Sequence, residues 1–159
     1  MKASTVVQLK KELETLNPEH LKELCLRLAR FKLENKELLT YLLFESEDES
    51  YYIEGIKEEV DRLFIEINTK SYFYIKKSVR KILRLLKKYA RYSTKKETEI
   101  ELLLYYCYKL KTLKPSINNN VTLTNIYCKQ IENIEKKIIK LHEDLQYDYN
   151  IQLDDLTEL

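Results

Sequence analysis

One glycine, Gly55, stands in 159 residues, and the only prolines are Pro18 and Pro115. Such a chain has almost no residue free to enter left-handed backbone and almost no helix breaker. Tight β-hairpins and the turns that close backbone amides around a phosphate both need such residues. A Walker loop requires two glycines and a dinucleotide-binding fingerprint three, so both are excluded. A GxSxG nucleophile elbow is excluded on the same ground. Helix remains, and the spacing agrees, because apolar residues recur at steps of three and four along most of the chain.

This periodicity predicts an all-α fold of about six or seven helices with antiparallel neighbours, in a bundle or a short irregular array of helical hairpins. The first helix, about 4–15, carries Val6, Leu9, Leu13 and Leu16 on one stripe. The second opens on Asn17 as cap with Pro18 in its first turn and turns Leu21, Leu24, Cys25, Leu28 and Phe31 inward. A third, about 35–46, places Leu38, Leu39, Leu42 and Leu43 together. The fourth, about 50–68, follows a cap at Asp48 or Ser50, and Gly55 within it implies either a close neighbour or a later start.

The fifth helix runs to about Tyr92, and Ser93 or Thr94 is the expected cap of the sixth, with Glu97 completing a capping box from Thr94. The run 102–108 is apolar on every side, which predicts a central, enclosed helix whose Tyr105, Tyr106 and Tyr108 hydroxyls reach the rim or polar partners. A seventh helix, about 123–147, bears Tyr127, Ile131, Ile134, Ile138, Leu141 and Leu145. The segment 114–120 is the one long loop expected. A single domain is expected over 1–149, with 150–159 an acidic tail ordered in part at most. Segments 21–31 and 37–41 echo 79–89 and 101–105, which is the basis for the hairpin-array variant.

Cys25, Cys107 and Cys128 are odd in number, far apart and outside any CxxC spacing. They predict neither a disulfide framework nor a zinc cluster, and a reducing cytoplasm fits them. The first residues lack the apolar stretch of a secretory signal, and the longest apolar run falls far short of the roughly 18 residues of a membrane span, so a soluble protein is expected. His20 and His142 stand outside HExxH or ExxH spacing, and the carboxylates lie in solvated runs. No cofactor, metal or catalytic group is therefore expected.

Charge is segregated beneath a net of +2. Residues 45–66 hold nine acidic side chains against Lys57 and Arg62, a net of −7, whereas 70–96 hold eleven basic side chains and no acidic one. At about 100° per residue, Lys76, Lys77, Arg80, Lys81, Arg84, Lys87, Lys88 and Arg91 fall within an arc of about 140°, opposite Ile75, Val79, Ile82, Leu83, Leu85, Leu86 and Tyr89. Phe73 lies inside the arc, with Tyr74 and Tyr92 at its edge. The plain reading is a face in water or one paired with the acidic helix before it. The functional reading assigns Lys77, Arg80, Lys81, Arg84, Lys88 and Arg91 to anion or nucleic-acid contact, with Phe73 or Tyr92 stacking on a base.

The expected function is a noncatalytic protein-interaction or scaffold module with a protein partner. Nucleic-acid backbone binding by the basic helix is the alternative, and an enzyme with a pocket between helices is the second alternative.

Overall fold

In a computed structural model, which describes residues 2–157, the chain is 79% helical, with no strand among the described residues. Among the described residues eight α-helices follow in order: α1 Val6–Glu14, α2 Pro18–Phe31, α3 Leu33–Thr40, α4 Glu49–Ile65, α5 Tyr72–Ala90, α6 Lys96–Lys111, α7 Val121–Ile138 and α8 Glu143–Thr157. A π-helical turn, Tyr41–Glu45, follows α3, and a 3₁₀ turn, Ile117–Asn119, precedes α7. The chain divides into two compact units, Met1–Phe44 and Glu45–Leu159.

The helix starts follow from side chains that satisfy free amides. Thr5 and Gln8 form a reciprocal capping box on α1, Asn17 accepts from the His20 amide with Pro18 beside it, and Asp48 accepts from the Tyr51 amide. The expected box at α6 does not form, because α6 begins one residue late, after Lys95. Ser93 Oγ instead accepts from the Lys95 amide at 3.1 Å and lies 3.3 Å from Thr98 Oγ1. The Thr98 hydroxyl, fully buried, donates to Glu49 in the first turn of α4. Thus the starts of α4 and α6 are tied by one polar network, with the Glu49 carboxylate at the positive end of its own helix.

The core of Glu45–Leu159 is organised around α6, which packs against α4, α5, α7 and α8. Ile100, Leu102, Leu103, Leu104, Tyr106, Cys107 and Leu110 are all buried. They meet Ile53, Ile56, Val60 and Phe64 on α4 and Ile75, Val79, Ile82 and Leu86 on α5 as the other apolar faces of this unit. Buried tyrosines join the helices through their hydroxyls: Tyr106 donates to the Val79 carbonyl at 3.0 Å, Tyr52 to the Tyr89 carbonyl at 3.0 Å, and Tyr127 to the Leu156 carbonyl. Among the three tyrosines of the run, Tyr105 finds Asp61, Tyr106 finds backbone, and Tyr108 is exposed.

Two expectations are corrected at the C-terminus. The stripe read as one helix over 123–147 breaks after Ile138, and of the tail expected over 150–159, residues 150–157 are the second half of α8, while 158–159 lie outside the described residues. No glycine or proline marks the break. The Gln146 side-chain amide donates to the carbonyls of Leu141 at 2.8 Å and Ile139 at 3.3 Å, taking up acceptors left free where α7 ends. Tyr149, Leu153 and Leu156, spaced four and three apart, then bury one face of α8, which packs on α6 and α7. The acidic residues between them conceal that stripe in the sequence.

Gly55 meets neither expectation. The helix around it starts at Glu49, and nothing lies within 4 Å of the point where a Cβ would sit. It has an exposed position and a negative φ. Gly55→Ala is therefore expected to stabilise the protein by about 0.5–1 kcal/mol, read as a raised denaturant midpoint at constant slope. Leu103, 1% exposed at the centre of α6, is the opposite case. Leu103→Asp is expected to abolish cooperative thermal unfolding by placing an unpaired charge in the core, and an unshifted melting temperature would remove α6 from the centre.

Candidate functional site

The sequence places its candidate contacts on α5, and the fold presents most of them together. Ile75, Val79, Ile82, Leu86 and Ala90 turn into the core, which forces the intervening positions to water. Lys77, Arg80, Lys81, Arg84 and Arg91 are exposed, and Lys88 is half-buried with its ammonium 4.7 Å from the centre of the Tyr89 ring. Phe73 is 68% exposed and stands edge-on to Tyr74 at 5.4 Å. Tyr92 is not part of this surface: it is 7% exposed and packs near Tyr89, 6.0 Å between ring centres. The wheel put it at the edge of the arc, but α5 ends at Ala90 and the chain turns there, so helical geometry no longer governs its direction.

Phe73, Lys76, Lys77, Arg80, Leu83 and Arg84 line an open groove of about 580 Å³. Two of these were missed as contacts. Lys76 was in the arc without a role, and Leu83 was assigned to the apolar side although it sits only about 20° from Lys76 on the wheel.

Pairing with the acidic helix does not account for this face. Among the described residues, Lys76, Lys77, Arg80, Lys81, Arg84, Lys87 and Arg91 make no ion pair. Three of the five α4 carboxylates have lysine partners outside α5: Glu54 meets Lys57 at 2.6 Å, Asp61 meets Lys109 of α6 at 2.9 Å, and Glu49 meets Lys95 at 3.9 Å.

A second surface lies in Met1–Phe44. The stripes of α1, α2 and α3, expected to face a core, bury no residue. Thirteen of the twenty-two large hydrophobic side chains that are exposed among the described residues fall in this unit, Phe31 at 76% and Phe44 at 78% among them. Between α2, α3 and the π-helical turn runs a groove of about 600 Å³, floored by Leu26, Ala29, Leu33, Leu39, Leu43 and Phe44 and edged by Arg30, Lys32 and Lys36, with no carboxylate in its lining. The sequence carries no mark of this, because a stripe that faces a core and one that faces outward have the same period.

Asp61, Tyr105 and Lys109 satisfy one another in Glu45–Leu159, whereas Oε1 of the buried Gln130 accepts no hydrogen bond from the described residues. Asp61 Oδ1 accepts from the Tyr105 hydroxyl and lies 2.9 Å from Lys109 Nζ. The Tyr105 hydrogen bond holds the Asp61 carboxyl below its ordinary range, burial opposes it, and Lys109 adds to the lowering, while burial and the Asp61 carboxylate push the Tyr105 hydroxyl up. Cys107 is fully buried, and burial pushes its thiol up to about 12, which removes the thiolate needed for nucleophilic attack. His20 and His142 are exposed. Among the described residues no three His, Cys, Asp or Glu converge as metal ligands, and no helix is long and apolar enough to cross a membrane.

Comparison with protein-family models, with curated proteins and with solved structures finds no match to this chain.

The Asp61 cluster has a consequence for acid stability. Because its folded pKa lies below that of the unfolded chain, Asp61 contributes stability above the unfolded carboxylate range, and that contribution disappears as pH falls through the depressed value. Asp61→Asn is expected to lower stability at neutral pH and to flatten the acid limb of a melting-temperature profile below about pH 4. An acid limb identical to that of the wild type would show that the carboxylate is not held down by Tyr105 and Lys109.

Proposed function

We propose that the chain is a noncatalytic protein-interaction module and that its N-terminal unit docks an acidic amphipathic helix of a partner protein. The observation that carries this is the absence of any buried residue from α1, α2 and α3 despite their apolar stripes. Fully burying one leucine or phenylalanine is worth about 1.5–3 kcal/mol, and this unit leaves that gain unrealised at position after position. Contiguous apolar surface of this kind, rimmed by polar groups, is the usual mark of an interaction site.

The rim defines the partner's chemistry. Arg30, Lys32 and Lys36 edge an apolar floor, which suits a helix with apolar anchors at i, i+3/i+4 and i+7 flanked by aspartate or glutamate. The noncatalytic reading is supported by the inaccessible Cys107 thiol and by the mutual satisfaction of Asp61, Tyr105 and Lys109. The three cysteines are unpaired, which supports a reducing, cytoplasmic setting.

Fluorescence anisotropy of a labelled acidic amphipathic peptide titrated with the full chain tests this. Binding is expected, and it is expected to weaken about tenfold or more in Arg30→Glu/Lys32→Glu/Lys36→Glu and in Leu33→Ser/Phe44→Ser, with far-ultraviolet dichroism unchanged because these side chains are exposed. Equal binding of a scrambled peptide of the same composition would overturn the reading. A concentration-dependent dimer in sedimentation that the peptide fails to displace would assign the groove to a second copy of the chain.

A further inference from the structure

We infer that the outward face of α5 is a binding site for single-stranded nucleic acid, RNA or DNA, in which the basic row holds the phosphate backbone and Phe73 stacks on one unpaired base. The site lies within Glu45–Leu159, and the proposed docking surface lies in Met1–Phe44.

Three features of this face converge on this ligand. First, Lys77, Arg80, Lys81, Arg84 and Arg91 follow one another along the helix at steps of one to seven residues, and the row spans about 21 Å at the rise of an α-helix. None of these five makes an ion pair among the described residues, and α5 has no acidic side chain, so the face carries positive charge that the fold leaves unneutralised. Second, an exposed aromatic ring stands inside the charge: Phe73 shares its groove with Lys76, Lys77, Arg80 and Arg84. A basic track with a ring beside it is the arrangement that holds a single strand, since every base offers a face to stack while each phosphate meets a cation. Third, the only other polar side chains on α5 are Ser78 and its tyrosines, with no asparagine, glutamine or carboxylate to read base edges. Recognition is therefore tolerant of sequence.

The same observations weigh against the other polyanions. Insertion into an anionic membrane needs a free apolar face, and that of α5 is consumed by the core, with Ile75 and Val79 fully buried. A protein interface needs a central patch depleted of charge, whereas this groove offers only Phe73 and Leu83 among four cations. A duplex would present no unpaired base to Phe73.

The test is an anisotropy titration of the full chain with labelled single-stranded DNA and RNA of about 12 nucleotides, the matching duplexes, and vesicles containing phosphatidylserine. Both single strands are expected to bind more tightly than either duplex. With about five phosphates engaged, the slope of log K against log salt is expected near −3.5, or about a 100-fold loss between about 50 and 200 mM salt. Lys77→Glu/Arg80→Glu/Arg84→Glu is expected to remove binding without loss of helix content or melting temperature. Phe73→Ala is expected to weaken single-strand binding about fivefold or more while leaving the salt slope unchanged, which separates stacking from charge. A preference for one of the two strands would identify RNA or DNA as the source of the backbone. Absence of binding, equal affinity for duplex, an unaffected Phe73→Ala variant, single-strand binding that survives the triple reversal, or binding confined to vesicles would each overturn the inference.

Discussion

Enclosure of α6 is the condition on which the arrangement of Glu45–Leu159 depends. Its run 102–108 is apolar around the whole circumference, and a helix of that kind is stable only when neighbours cover every side. Four helices do so. The demand explains the orientation of each: α5 turns Ile75, Val79, Ile82 and Leu86 inward, α7 turns Ile131, Ile134 and Ile138, and α8 supplies Leu153 and Leu156. It also explains the tyrosines. Rings so deep can remain only if each hydroxyl finds an acceptor, and Tyr106 and Tyr127 find backbone carbonyls on neighbouring helices.

What the core takes determines what the surface keeps. Because α5 spends its apolar residues on α6, most of its cations are left together on the outside, while Glu54, Asp61 and Glu49 of α4 meet Lys57, Lys109 and Lys95. The N-terminal unit shows the converse. Its helices carry stripes of similar period, yet bury none of their residues. One unit thus exposes a charged face while burying its apolar residues, and the other exposes the apolar residues themselves. A charged face attracts polyanions over distance and is weakened by salt, whereas an apolar groove gains from burial at contact and is little affected by it.

Much of this was legible in the chain. The scarcity of glycine and proline dictated helices, the all-round apolar run marked α6 as enclosed, and the basic arc of α5 was readable at residue level because a helix with one apolar stripe must send the remaining positions outward. Asn17 with Pro18, and Asp48, announced two helix starts by the chemistry of free amides. Tertiary structure alone decided the rest. The α7–α8 break carries no glycine or proline to mark it, and the burial of Leu153 and Leu156 rests on neighbours distant in the chain. Tyr92 left the basic surface because the helix ended before it. Most of all, periodicity specifies that a stripe exists but not what covers it, so only the assembled structure distinguishes the buried face of α5 from the open faces of α1, α2 and α3.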